Sequence, residues 1–319
     1  MIPKRIIFAG IYIFIIAFAI TSCNKNDSAG KIDIDTTDKQ MLKFESFNEF
    51  EKAWNEVNSN NISETSNMLK SQNNYASFAE EADEFYFNID LDAFSSSEDL
   101  MSFVNENRNY LSVSYDDDGD MVVEPIVSNN LMRAFINEDG LFQIADSVYK
   151  VFETATVGTK VTDLQLLKDA EETDIEQLVS SGNANYLRWT TGMYSYRTVY
   201  WSNKKRLVAR LFLWFEDGWF YVFEAKSTAQ TKVFGTWWQM KIGSIGIKHQ
   251  VGNAVHFDGV SHIISPATYS YSNHAVCERD MYFAPATNMV NTAESSLILT
   301  HFGTYDGAYK EIASNEVFR

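Results

Sequence analysis

The chain has 319 residues and a net charge of -17, with 43 Asp and Glu against 26 Lys and Arg. That length is ample for a hydrophobic core, and the acidity repels phosphate backbones, so nucleic acid is excluded as an expected partner. Only two cysteines occur, Cys23 and Cys277, so modification of either leaves no internal disulfide and stability must come from burial.

The first element in chain order is an address. Lys4 and Arg5 precede a fifteen-residue apolar run, Ile6 to Ile20, closed by Thr21-Ser22-Cys23. The cations hold their end on the cytoplasmic side, the run is short for a spanning helix, and small Thr21 and Ser22 let a peptidase approach the bond before Cys23. Residues 1–22 are therefore expected to be a lipoprotein signal peptide, with Cys23 as the lipidated first residue that anchors the protein to a membrane of the cell envelope. Asn24 to Gln40 is polar and cannot bury a face, so residues 23–40 read as a lipidated tether.

Phe44, Phe47, Phe50, Trp54 and Val57 recur at helical spacing, and Ser46 with Glu49 has the form of a capping box. Asn58 to Asn74 reads as loop with a short helix around Met68. Leu100, Phe103, Val104 and Leu111 predict a second amphipathic helix, with Ser95-Ser96-Ser97 as N-cap residues. The period then changes to that of strands flanking an Asp117-Asp118-Gly119 turn. A short helix is expected over Leu131 to Ile136, a hairpin around Asp146-Ser147, and a helix over Thr162 to Val179.

From Leu187 onward the pattern is of strands: Tyr194 to Trp201, Leu207 to Phe215, Trp219 to Ala225, Lys232 to Met240, Ile242 to Lys248 and more beyond. Charge changes with pattern. Residues 24–180 hold 33 acidic against 11 basic side chains, whereas residues 181–319 hold 10 against 13, together with all five histidines and six of the seven tryptophans. The expected class is α+β: an acidic helix and hairpin region over 41–180, then an aromatic-rich antiparallel β domain over 181–319, sandwich or barrel-like.

Four constellations bear on chemistry. Asp116-Asp117-Asp118-Gly119-Asp120 offers carboxylates to a cation, but its glycine sits fourth where a calcium-binding helix–loop–helix needs it sixth, so a solvated turn is expected. His256 and His262 flank Asp258-Gly259; a two-residue turn would pair His256 with Ser261 and Val255 with His262, placing the rings on opposite faces and giving no metal site. Cys277, three residues after His274, has no identifiable base or oxyanion partner and reads as a buried thiol. No nucleophile elbow, phosphate loop, dinucleotide fingerprint or zinc-protease motif occurs, so no catalytic residue, metal or cofactor is assigned.

The aromatic hairpin is the most suggestive. A two-residue Asp217-Gly218 turn pairs Trp214 with Tyr221 and Glu216 with Trp219 on one face, which is either core or a platform of Trp214, Trp219 and Tyr221 on which sugar rings could stack. Trp237 and Trp238 are adjacent, so an extended chain points them opposite ways.

The segment Asn137-Glu138-Asp139-Gly140-Leu141-Phe142-Gln143-Ile144-Ala145-Asp146-Ser147-Val148-Tyr149-Lys150, taken with the Cys23 signal, the Phe-rich helix and the Arg206-to-Glu224 hairpin, resembles the "N-x-x-G-x-x-Q-I-x-D-x-V-Y-K" hairpin of uncharacterised Bacteroidota cell-envelope lipoproteins. The resemblance implies an outer-membrane lipoprotein of unknown function and carries no functional residues. After Cys23, Asn24-Lys25-Asn26-Asp27 matches an acidic surface-export signal only in part, which leaves the surface and periplasmic faces both open. The function expected is a non-enzymatic envelope module that binds or scaffolds a partner, for which a glycan and an envelope protein are the candidates. A glycan-binding platform, a hydrolase with a site assembled from distant segments and a structural or assembly protein without a small ligand are the alternatives.

Overall fold

The structure, a computed structural model, describes residues 41–318 except 60–74, 76, 128–129, 153–154, 183–184, 217–219, 258–259 and 286–292. The signal peptide, Cys23, the tether and the short helix expected near Met68 lie outside the described residues. The first strand, β1 (Leu42–Phe44), takes Phe44 out of the helical stripe, and helix α1 (Phe47–Ser59) follows. Ser46 Oγ accepts from the Glu49 backbone N–H at 3.3 Å, and the Glu49 carboxylate reaches back to the N–H of Glu45 at 2.6 Å. The helix starts where the capping residues predict. Its apolar face buries Phe50, Trp54 and Val57.

Helix α2 (Phe78–Phe87) has no counterpart in the sequence reading, because four acidic residues interrupt its apolar positions. It is fixed by tertiary bonds instead: the Tyr86 hydroxyl donates to Val123 O at 2.8 Å and accepts from the Gln239 N–H at 2.7 Å. Helix α3 (Ser97–Glu106) begins at Ser96, whose Oγ accepts from Asp99 N–H at 3.2 Å. Strands β2 (Leu111–Tyr115) and β3 (Met121–Pro125) flank the Asp116–Asp120 turn, followed by α4 (Asn130–Phe135). The hairpin of β4 (Leu141–Ile144) and β5 (Ser147–Val151) forms as expected and leads into β6 (Ala155–Lys160).

The single helix expected over Thr162 to Val179 is instead two short ones, α5 (Leu164–Lys168) and α6 (Ile175–Ser180). The break has a local cause. Glu171 and Asp174 form a reciprocal capping box, with Asp174 Oδ2 accepting from Glu171 N–H at 2.9 Å, which starts a new 3₁₀ turn rather than continuing the old helix.

The remaining strands are β7 (Asn185–Ser202), β8 (Lys205–Glu216), β9 (Phe220–Val233), β10 (Thr236–Gln239), β11 (Ile242–His249), β12 (Ala254–Phe257), β13 (Val260–Ile263), β14 (Ala267–His274), β15 (Val276–Pro285), β16 (Ala293–Tyr305) and β17 (Ala308–Phe318). Two details correct the sequence reading. Lys232 to Met240 is a hairpin, not one strand, because Phe234 and Gly235 both take positive φ, 47° and 87°, and reverse the chain. The β8–β9 ladder pairs Glu216 with Phe220, Phe215 with Tyr221 and Trp214 with Val222. Its register is one residue off that of a two-residue turn, so Trp214 and Tyr221 are not cross-strand partners. The β12–β13 hairpin has the register its sequence predicts, His256 opposite Ser261 and Val255 opposite His262.

One sheet runs β1-β4-β5-β6-β7-β8-β9-β10-β3-β2, with β15 added to β9; a second runs β13-β12-β16-β11-β14, with β17 on β16. Most pairs are antiparallel, and β1 with β4 and β10 with β3 are parallel. The first sheet carries through residue 180, since β6 pairs with β7 and β3 with β10, and residues 39–319 form one compact unit. The α+β class thus has its helices in the first half and most of its sheet in the second.

Alternation along β8 and β9 decides how the sheets pack. Leu207, Ala209, Leu211, Ala225 and Ala229 share a buried cluster with Ile245, Ile247, Val255, Leu297 and Leu299 of the second sheet, so two apolar faces meet. The alternate positions, Arg206, Arg210, Glu224, Lys226, Thr228 and Gln230, are polar and equally buried. They require partners rather than hydrophobic neighbours. Some of those partners come from the first half of the chain, Asp116 for Arg206 and Glu124 for Arg210, and others from the second half, Gln230 for Arg206 and Glu278 for Lys226.

Candidate functional site

The buried polar face of β8 and β9 is paired inward. Arg206 bonds Asp116 Oδ2 at 2.7 Å, with both side chains fully buried, and donates through Nε to Gln230 Oε1 at 2.8 Å. Its guanidinium lies 3.9 Å from the Trp237 ring centroid. Lys232 bonds Asp120 Oδ2 at 2.6 Å, and the Trp237 indole N–H donates to the same oxygen at 3.0 Å. The Lys232 hydrogen bond is the main cause that holds Asp120 below its ordinary pKa. The acidic turn is therefore not wholly solvated: its first and last carboxylates are tied to cations of the second half of the chain, while Asp117 and Asp118 stay exposed. Among the described residues, no three His, Cys, Asp or Glu side chains gather as metal ligands.

Further along the same face, Arg210 Nη1 bonds both oxygens of Glu124 at 3.1 Å, and Lys226 bonds Glu278 at 3.2 Å. Burial alone would raise the Glu124 pKa, but Arg210 and Lys226 outweigh it and hold it at about 2. Asp280, on β15, accepts from the Trp54 indole N–H at 2.6 Å. Burial, with Glu278 nearby, pushes its carboxyl well above the usual range. Asn58 of α1 donates to the Asp280 carbonyl at 2.6 Å and accepts its N–H at 3.1 Å, so α1 is pinned to β15 by both ends of this residue.

Two constellations have the residue types of catalysis without its geometry. Ser227 Oγ lies 2.9 Å from His301 Nδ1 in the core between the sheets, and the hydroxyl donates to Gly246 O at 3.0 Å. That leaves Nδ1 as the donor to Ser227, the wrong tautomer for a general base. Cys277 is buried, and burial raises its thiol to about 12, so it behaves as a core residue rather than a nucleophile.

An open cleft of about 710 Å³ lies where three chain segments meet. One wall is the 3₁₀ turn Leu91–Ala93 with Phe94, started by Asp90, whose carboxylate accepts from Asp92 N–H at 3.1 Å. The opposite walls are the β7–β8 turn at Asn203-Lys204 and the end of β9 with its Phe234-Gly235 turn. These two turns are tied together, because Lys232 N–H donates to Lys204 O at 2.8 Å. Leu91, Phe94 and Val233 rest on the buried cluster of Leu100, Val104 and Trp238, so the apolar wall is the outer skin of a core.

Phe234 is the unusual residue of this cleft. A two-residue turn with positive φ at both positions takes Asn, Asp or Gly for steric reasons. The chain obeys this at the β16–β17 turn, where Asp306-Gly307 has φ of 47° and 74°. At 234 it places a phenyl ring instead, 47 % exposed. The backbone conformation of the turn does not favour that choice. The sequence signal was a bulky residue before Gly within a β-branched run, and the strand reading passed over it.

Of the site residues read from sequence, Cys23 and Trp219 lie outside the described residues, as do the side chains of Trp214 and Tyr221. Trp237 and Trp238 are both buried, Trp237 against Arg206 and Trp238 against Tyr86, with ring centroids 5.7 Å apart in the latter pair. His256 bonds Ser261 Oγ at 2.7 Å and so points to its own hairpin.

The fold and site together define an α+β protein of two stacked sheets with a mixed aromatic and polar cleft at its hairpin tips. No protein family matches the chain, and no curated protein matches it. Among solved structures, it is similar to a DUF4848 family protein from Bacteroides thetaiotaomicron at 16 % identity, over 87 % of this chain and 98 % of that one, with a TM-score of 0.28.

Proposed function

We propose that this is a lipid-anchored cell-envelope protein whose folded body binds a ligand in the cleft between Phe94, Lys204 and Phe234, without transforming it. The observation that carries the binding site is Phe234: a half-exposed aromatic residue held in a left-handed turn position is strained, and such strain collects at sites of function. The cleft volume falls within the roughly 300–1,000 Å³ of small-molecule sites. The anchor rests on Cys23 and the apolar run before it, which place the body outside the inner membrane on a tether, in the outer membrane by the resemblance drawn from the sequence.

Two measurements test this reading. Incorporation of a fatty-acid analogue is expected in the wild-type chain and absent in Cys23→Ala; equal labelling of both removes the anchor. Hydrogen–deuterium exchange of the mature chain, with and without a soluble extract of the envelope, is expected to slow at 91–94, 203–204 and 231–235. Unchanged exchange at all three segments removes the binding site.

A further inference from the structure

We infer that the cleft takes an uncharged carbohydrate, with Phe234 stacked on the C–H face of a sugar ring and Asn203 and Thr231 hydrogen-bonding its hydroxyls. This rests on the binding-module reading above and names its ligand. Three features of the lining select the class.

The first is charge. Lys232 lines the cleft, but its ammonium is held by Asp120 at 2.6 Å, and the other lining charges are one carboxylate, Asp92, and one ammonium, Lys204. An anion drawn to Lys204 would share the cleft with Asp92, and a cation drawn to Asp92 would share it with Lys204, so the lining favours neither sign. A neutral ligand meets no opposed charge.

The second is the mixture of surfaces. Leu91, Phe94 and Phe234 give apolar area, while Asn203 and Thr231 supply an amide and a hydroxyl that donate and accept. A purely apolar ligand would strip water from those polar groups and leave them unpaired. A sugar ring has an apolar face and a hydroxyl rim, so it pairs with both kinds of surface at once.

The third is the presentation of the ring. Phe234 stands at a hairpin tip whose neighbour Gly235 has nothing within 4 Å of where a side chain would sit. Phe234 itself is 47 % exposed, so part of its side chain is accessible for stacking.

The test is an oligosaccharide array probed with the mature chain, carrying neutral β-glucans, mannans, xylans and arabinans beside polyuronates, with a peptide array as the third arm. The expected result is retention of neutral sugars. Calorimetry on the neutral sugar retained should show at least about tenfold weaker binding for Phe234→Asn and severalfold weaker binding for Asn203→Ala. The melting temperature of Phe234→Asn should not fall, since Asn suits the turn, so lost binding cannot be ascribed to unfolding. Retention of polyuronates alone, or of peptides alone, overturns the ligand class and keeps the site. An array without any sugar retained, while envelope extract still protects the three cleft segments from exchange, also overturns the ligand class. Absence of that protection overturns the binding-module reading itself.

Discussion

At the scale of single residues, the buried titratable groups set the pH behaviour. The Asp280 carboxyl is raised by burial, so its contribution to stability is present below its unfolded value near 3.8 and declines as pH rises toward its folded value. Asn keeps the oxygen that accepts from Trp54 and carries no charge to desolvate. Asp280→Asn is therefore expected to be more stable than wild type at pH 7, with an advantage that shrinks as both are titrated toward pH 3; urea midpoints across that range check it. The histidines act in the opposite sense. Burial holds His301 at about 3, with His249 adding to the effect, and holds His249 at about 4, with Arg279 adding to it, against 6.5 unfolded. Both contributions are complete above pH 6.5 and are lost as pH falls through the folded values, each tenfold change in proton affinity being worth on the order of 1.4 kcal/mol. Acid destabilisation should thus begin near pH 6, before Glu124 loses its contribution between 4.5 and about 2. In His301→Asn, proton uptake on unfolding at pH 5, measured calorimetrically, should drop by about one.

At the scale of elements, the Asp116–Asp120 turn is a clasp. Asp116 accepts from the N–H groups of Asp118 and Asp120 at 3.1 and 2.9 Å, which shapes the turn, and its other oxygen holds Arg206. Removing one member of a buried pair strands the other, at about 3–5 kcal/mol. Asp116→Ala should be destabilised by that amount in chemical denaturation, whereas Asp118→Ala, on the exposed side of the same turn, should stay within about 0.5 kcal/mol. Calcium titration of the wild type should give no calorimetric signal at physiological salt, because Asp116 and Asp120 already hold cations; tight binding lost in Asp118→Asn would contradict this. The hairpin at Asp146 and the helix caps at Ser46 and Ser96 were legible in the sequence because each rests on contacts a few residues apart. The split of α5 from α6 was written there too, in Glu171 and Asp174, but two residues of capping chemistry are faint against an eighteen-residue helical pattern.

At the scale of the whole molecule, stability is expected to be independent of disulfides. Cys277 sits in the core between the sheets at 0 % exposure, so a thiol reagent should modify the mature chain only as fast as that core opens, and reductant should leave the melting temperature unchanged. Fast labelling under native conditions would contradict the placement. On the other face of the second sheet Gly246 is constrained by its cross-strand partner, since an added Cβ would stand 2.3 Å from Phe302 Cζ and 2.4 Å from Tyr269 O, a collision that includes backbone and cannot relax by a rotamer change alone.

The sequence by itself determined the α+β class, most of the elements, the β12–β13 register and the burial of Cys277, but not α2, the break between α5 and α6 or the β9–β10 turn. What it determined follows from period, spacing or a turn dipeptide, which are short-range properties. The tertiary structure alone decided where the charge goes. The acidic first half and the neutral second half looked like separate parts, yet Asp116, Asp120 and Glu124 of the first hold Arg206, Lys232 and Arg210 of the second. Buried charge must find its counter-charge wherever the fold brings it, and separations of about ninety residues or more leave no periodic trace. The cleft was hidden for the same reason, since its walls come from 91–94, 203–204 and 231–235. Only the paired turns, joined through Lys232 N–H and Lys204 O, turn three ordinary stretches of chain into one concave surface.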